Sequence, residues 1–201
     1  MLLAVTRHPV AAARRGLEAL QAVADVGTSD RIVHGALIAI IFAMIFSFTV
    51  YTLGRSRLYL GATAWVAFFA GNLCVLGAAL TDGFFVPAFA ERYLRSVPLD
   101  ATPGLTVLNA ASVAIQVLTK FGFLALSLAT ICWSIDLLLE GRRNRGIGLL
   151  GLAASIVVAA LLFFGGSVNV HSVVIIIGFQ ATWYFAISYR LITGNIGPTE
   201  H

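Results

Sequence analysis

The chain has 201 residues, of which 59% are apolar and only 11% charged, and its mean hydropathy is +0.93. A soluble domain carries roughly 25% charge, so a water-exposed globular surface is excluded and a lipid bilayer is the solvent that fits. The formal net charge of +4 does not point to nucleic acid. The arginines are scattered through short connections, where they read as topology determinants and lipid-headgroup contacts.

Residues 1–30 are expected to form an amphipathic segment lying at the membrane interface. Pro9 suits a first helical turn. Val10, Ala13, Leu17, Leu20 and Ala24 then recur at helical spacing, with Arg14, Arg15 and Glu18 away from them. The charges rule out spanning, and the early His8, Pro9, Arg14 and Arg15 leave no room for a cleavable signal.

Crossing a hydrocarbon core ~30 Å thick takes ~20 apolar residues in a helix. Within residues 31–194 five stretches meet this: 32–53, 60–82, 108–138, 147–164 and 170–192. The expected fold is therefore an all-α bundle of five transmembrane helices. The third span is longer than needed and is expected to tilt or project. Between spans two and three runs a long connection, about 83–107. Its first half (FFVPAFAERYLRSV) looks like a short interfacial helix, and its second half (PLDATPG) like a turn-rich linker. Residues 195–201 form a tail. Arg55, Arg57, Arg142, Arg143, Arg145 and Arg190 share one side of this topology and sit in short loops, where the positive-inside rule counts most. Arg7, Arg14, Arg15, Arg31, Arg92 and Arg95 lie on the other side in equal number, so only the short-loop weighting favours the expected orientation, with an outside N-terminus, an inside C-terminus and an outside 83–107 loop. The expected setting is a multi-pass protein of a bacterial cytoplasmic membrane, alone, as a homo-oligomer or inside a larger membrane complex.

Polar side chains are costly in hydrocarbon, so each is a functional candidate by default. Asn109, Ser112, Gln116, Lys120, Ser127, Thr130 and Ser134 recur on one stripe of the third span. Lys120 is the only lysine against twelve arginines. With Asn72 mid-way along span two and Gln180 mid-way along span five, Lys120 and Gln116 define a candidate intramembrane polar site, either for transport or as a clamp fixing helix register.

A second constellation lies nearer one face. His34 enters the first span and His171 the fifth, and both spans run in the same direction. Span two returns to that face at Asp82, and Glu91 follows. Two histidines with one or two carboxylates are a sufficient ligand set for Zn²⁺, Cu²⁺ or Fe²⁺. Two histidines alone can hold a b-type haem. A proton-exchanging or pH-sensing role is the third use of such histidines, and interfacial hydrogen bonding the structural one. Cys74 and Cys132 lie in apolar segments without a CxxC and read as small buried side chains. The tryptophans and tyrosines near span ends suit interfacial belts. Phosphate-binding loops, a DDxxD pair and a GxSxG elbow are absent from the sequence. The leading expectation is a metal- or haem-binding membrane protein, with redox activity as one use of the site, built on His34, His171 and Asp82. The alternatives are a small transporter using the Gln116–Lys120 stripe and a non-catalytic subunit.

Overall fold

A computed structural model describes residues 16–54, 58–96, 100–164 and 170–193. Pro9, Val10, Ala13, Arg14 and Arg15 of the expected amphipathic segment lie outside these, as do His8 and the tail at 195–201. The described residues are helical without strands. In chain order they form α1 (Leu17–Asp25), α2 (Gly27–Leu53), α3 (Leu58–Leu80), a π-helical turn (Thr81–Phe85), α4 (Val86–Arg95), α5 (Thr102–Leu139), α6 (Arg145–Phe164) and α7 (Val170–Ile192). Five helices are long and apolar enough to cross a membrane, with Tyr59–Arg95 counted as one. This is the pattern of a multi-pass membrane protein.

α2 begins at Gly27 rather than at 32, inside the stretch expected to be interfacial, and two further boundaries differ for a local reason. The expected break after Asp82 does not occur, and the chain stays helical for 37 residues from Tyr59 to Arg95. Pro87 in the first turn of α4 has no N–H for the carbonyl four residues back, which would orphan that group in a regular α-helix. The π turn widens the ladder at this point. Val86 N–H bonds to Thr81 O, five residues back, and helical continuity survives the proline. The third span starts at Thr102 rather than 108. Asp100 Oδ1 accepts the Thr102 backbone N–H at 2.9 Å and its hydroxyl at 2.7 Å, and Pro103 follows where a first helical turn tolerates proline. At 38 residues and ~1.5 Å per residue, α5 far exceeds the hydrocarbon thickness.

The chain divides into two compact units. One comprises Met1–Phe42 and Cys74–Thr119, the other Ala43–Leu73 and Lys120–His201. In the first, α1 packs on α4. Leu20 and Ala90 are fully buried, with Ala19 and Ala22 nearly so, so each amphipathic helix hides its apolar face. Tyr93 reaches back to bond Asp100 O at 2.7 Å, tying α4 to the entry of α5.

In the second unit the interior is aromatic. Phe48 of α2 lies 4.9 Å from Phe68 of α3 and 4.8 Å from Trp133 of α5, centroid to centroid, and Trp133 stacks 6.1 Å from Trp183 of α7. Lipid tails are as apolar as leucine, so helix association here rests on such close packing rather than on the hydrophobic effect. Trp133 and Trp183 are 0% exposed, which removes them from any interfacial belt.

Candidate functional site

The first two turns of α2 and the π turn build one polar site in the first unit. His34 Nδ1 lies 2.9 Å from Asp30 O, one turn earlier on the same helix. A backbone carbonyl only accepts, so Nδ1 carries a proton and donates it. On the other side of the ring, Nε2 lies 3.3 Å from Asp82 Oδ2. The His34 and Asp82 side chains are 13% and 36% exposed, so the contact is largely shielded.

Gly83 explains how the ring comes so close. A methyl group at this position would overlap the base of the His34 ring. The π turn offers a side-chain-free surface against which the base of the imidazole packs, with the neighbouring Asp82 Oδ2 near Nε2. Single π turns inside α-helices are frequent at functional sites. Beside this dyad, Arg31 donates to Glu91 Oε1 at 2.8 Å, and Arg95 stands 3.9 Å from the other Glu91 oxygen. An open groove bordered by Gln21, Asp25, Glu91 and Arg95 runs alongside.

The structure thus brings together two of the four expected ligands. Glu91 is engaged by Arg31 rather than turned to His34, because α4 continues the helix of span two and carries Glu91 onto the start of α2. His171 is exposed at the first turn of α7 and belongs to the other unit. Among the described residues no three His, Cys, Asp or Glu side chains are grouped to hold a metal ion. An axial bond from His34 Nε2 to a haem iron would have to displace the Asp82 carboxylate.

The polar stripe of α5 changes character along its length. Asn109 and Ser112 are exposed, Gln116 and Lys120 half-buried, and Ser127, Thr130 and Ser134 buried. Ser127 and Thr130 donate to the Phe123 and Leu126 carbonyls of their own helix at 2.8 and 3.0 Å. Their protons are consumed locally rather than offered to a pathway. Asn72, 2% exposed, likewise donates to Phe68 O at 2.9 Å. Gln180 is 7% exposed.

Sequence reasoning passed over Asp136. It is 1% exposed and the only buried charged side chain among the described residues. A lone carboxylate in the run ICWSIDLLL is itself the signal, since acidic groups in spans are rare and costly. It lies two residues beyond Ser134, hence off the stripe that drew attention.

No protein-family model, no curated protein and no solved structure matches the chain.

Proposed function

We propose that this multi-pass membrane protein works through the His34–Asp82 dyad as a proton-exchanging latch at one membrane face. The observation carrying this is the 3.3 Å contact between Nε2 and Oδ2, taken with the donation from Nδ1 to Asp30 O. Nδ1 already holds a proton, so the inner contact needs a second one. Without it, a nitrogen lone pair faces a carboxylate. The dyad therefore binds one exchangeable proton, and losing it turns an attraction into a repulsion. The other ionisable groups nearby are Asp30 on the same helix and the Arg31–Glu91 pair. Histidine is the side chain that ordinarily changes charge between about pH 5 and 8. The mobile partner is the π turn with α4, and α1 and α4 rest at the bilayer interface of a bacterial cytoplasmic membrane.

The test is hydrogen–deuterium exchange of residues 81–95 in nanodiscs, comparing wild type with His34→Gln at matched pH. The latch predicts greater protection in wild type at pH 5, converging with the variant by pH 8. Equal exchange at both pH values refutes it.

A second reading is favoured by one distance. Two ligand atoms on ~2.0–2.1 Å bonds to a tetrahedral ion lie ~3.3 Å apart, the Nε2–Oδ2 spacing. The Nδ1–H to carbonyl bond is also the usual outer support of a metal-bound histidine. A divalent transition metal could then replace the proton, with a second copy completing the shell. About one metal per chain after chelator-free purification, lost in His34→Ala, supports this, and a folded metal-free protein excludes it.

A further inference from the structure

The second unit holds buried hydrogen-bonding groups that the dyad does not use. Ser134 Oγ of α5, Ser155 Oγ of α6 and Trp183 Nε1 of α7 are each buried without a hydrogen-bond partner among the described residues. Their residues are 0%, 2% and 0% exposed. Three facts place them together. A methyl group on Gly151 of α6 would overlap both Ser134 Oγ and Trp183 Nε1, so these two atoms press on the same glycine. Ser155 lies one turn beyond Gly151 on the buried face of α6, which also carries Gly148, Ala154 and Val158. α6 and α7 pack directly on each other.

Other hydroxyls in these helices behave differently. Ser127, Thr130 and Thr182 each donate to the carbonyl four residues back. Ser134 and Ser155 do not, so their bonding capacity is directed elsewhere. An indole N–H can only donate, and a donor buried in a bilayer without an acceptor is costly.

We infer that Ser134, Ser155 and Trp183 form a binding site for an internal water molecule that links α5, α6 and α7. The occupant must accept from Trp183 Nε1–H and from one serine hydroxyl, and give a proton to the other serine oxygen. Water does all three and meets the two to four partners that buried waters have. An anion would bring an unpaired charge among aromatic rings, and a cation would face the indole N–H. Gly151, having no side chain, is the residue that lets Ser134 Oγ and Trp183 Nε1 converge on the buried face of α6.

The chain has three tryptophans, so ¹⁵N-indole labelling gives three resonances, assignable by single Trp→Phe variants. In nanodiscs, the wild-type Trp183 indole proton is expected to show a cross-peak to water despite its burial. Gly151→Ala should abolish the peak while the spectrum stays folded. If that variant does not fold, Ser155→Ala should at least halve the peak. A folded wild type with no water cross-peak at Trp183 overturns the inference. A cross-peak to lipid alone also overturns it and names a lipid carbonyl as the acceptor instead.

Discussion

Gly83→Ala is the substitution that most sharply separates this site from an ordinary stretch of membrane helix. By helix propensity alone, alanine is better than glycine by ~0.5–1 kcal/mol. Here the new methyl would overlap the His34 Cβ and ring, so the ring must leave its place or the π turn must move. Overpacking of this kind costs ~1–3 kcal/mol, and three atoms overlapped at once puts it near the upper end. Subtracting the propensity gain leaves a net loss of ~2 kcal/mol, roughly thirtyfold in the folding equilibrium at 1.4 kcal/mol per decade. Gly35 is an internal control, because a methyl there meets nothing within 4 Å. Gly35→Ala should be neutral or gain up to ~1 kcal/mol. Reversible unfolding with SDS in mixed micelles, followed by circular dichroism, measures both. A cycle with His34→Ala isolates the contact: once the ring is removed, Gly83→Ala should lose most of its cost. Equal stabilities for Gly83→Ala and Gly35→Ala, within ~0.5 kcal/mol, would refute the close approach of His34 to the π turn.

Further outcomes follow from the same geometry. The Arg31–Glu91 pair is about one-third exposed on each side, so a double-mutant cycle with Arg31→Gln and Glu91→Gln should give a coupling of only ~0.5–1 kcal/mol. A value near zero would mean that the pair does not tie α4 to α2. Asp100 is held below its ordinary value of 3.8 by the Thr102 backbone N–H and then by the Thr102 hydroxyl. A depressed carboxylate stabilises above its unfolded pKa, and that support fades as pH falls through the folded value. The Thr102 amide resonance should therefore titrate with a midpoint below 3.8, and Asp100→Asn should remove the titration. In brominated-lipid bilayers, single-tryptophan variants retaining Trp133 or Trp183, both fully buried, should be quenched less than the variant retaining the half-buried Trp65. Equal quenching would contradict the aromatic interior.

Much of the scaffold was legible because crossing hydrocarbon demands length and apolarity, and both are visible without structure. The fifth span illustrates this, with its limits at Val170 and Ile192 falling where the residues alone placed them. The misses lie where a helix outruns its apolar stretch. Residues 102–107 are not hydrophobic enough to register as a span, yet Asp100 and Pro103 mark a helix start that the turn-rich composition hid. Asp82–Gly83 imitates a helix end, and hydropathy is blind to a π turn, which changes hydrogen-bond register without changing apolarity. At the site, topology could carry His34 and Asp82 to one face, but not decide that Glu91 would turn to Arg31. That choice depends on α4 continuing span two, the feature hidden by the π turn. Counting polar residues along the α5 stripe could not separate Ser127 and Thr130, satisfied by their own helix, from Ser134, which is not. It also drew attention from Asp136, on another face of the same helix.

The most direct measurement of the central claim is a ¹⁵N imidazole titration of His34 in nanodiscs, assigned by His34→Gln and repeated in Asp82→Asn. Nδ1 is expected to stay protonated throughout, because it donates to Asp30 O. Nε2 is expected to gain and lose a proton between about pH 5 and 8, the Gly83 amide to shift in step, and the midpoint to move in Asp82→Asn. A ring protonated on Nε2 alone at high pH, or a titration to which Gly83 and Asp82→Asn are indifferent, would contradict it.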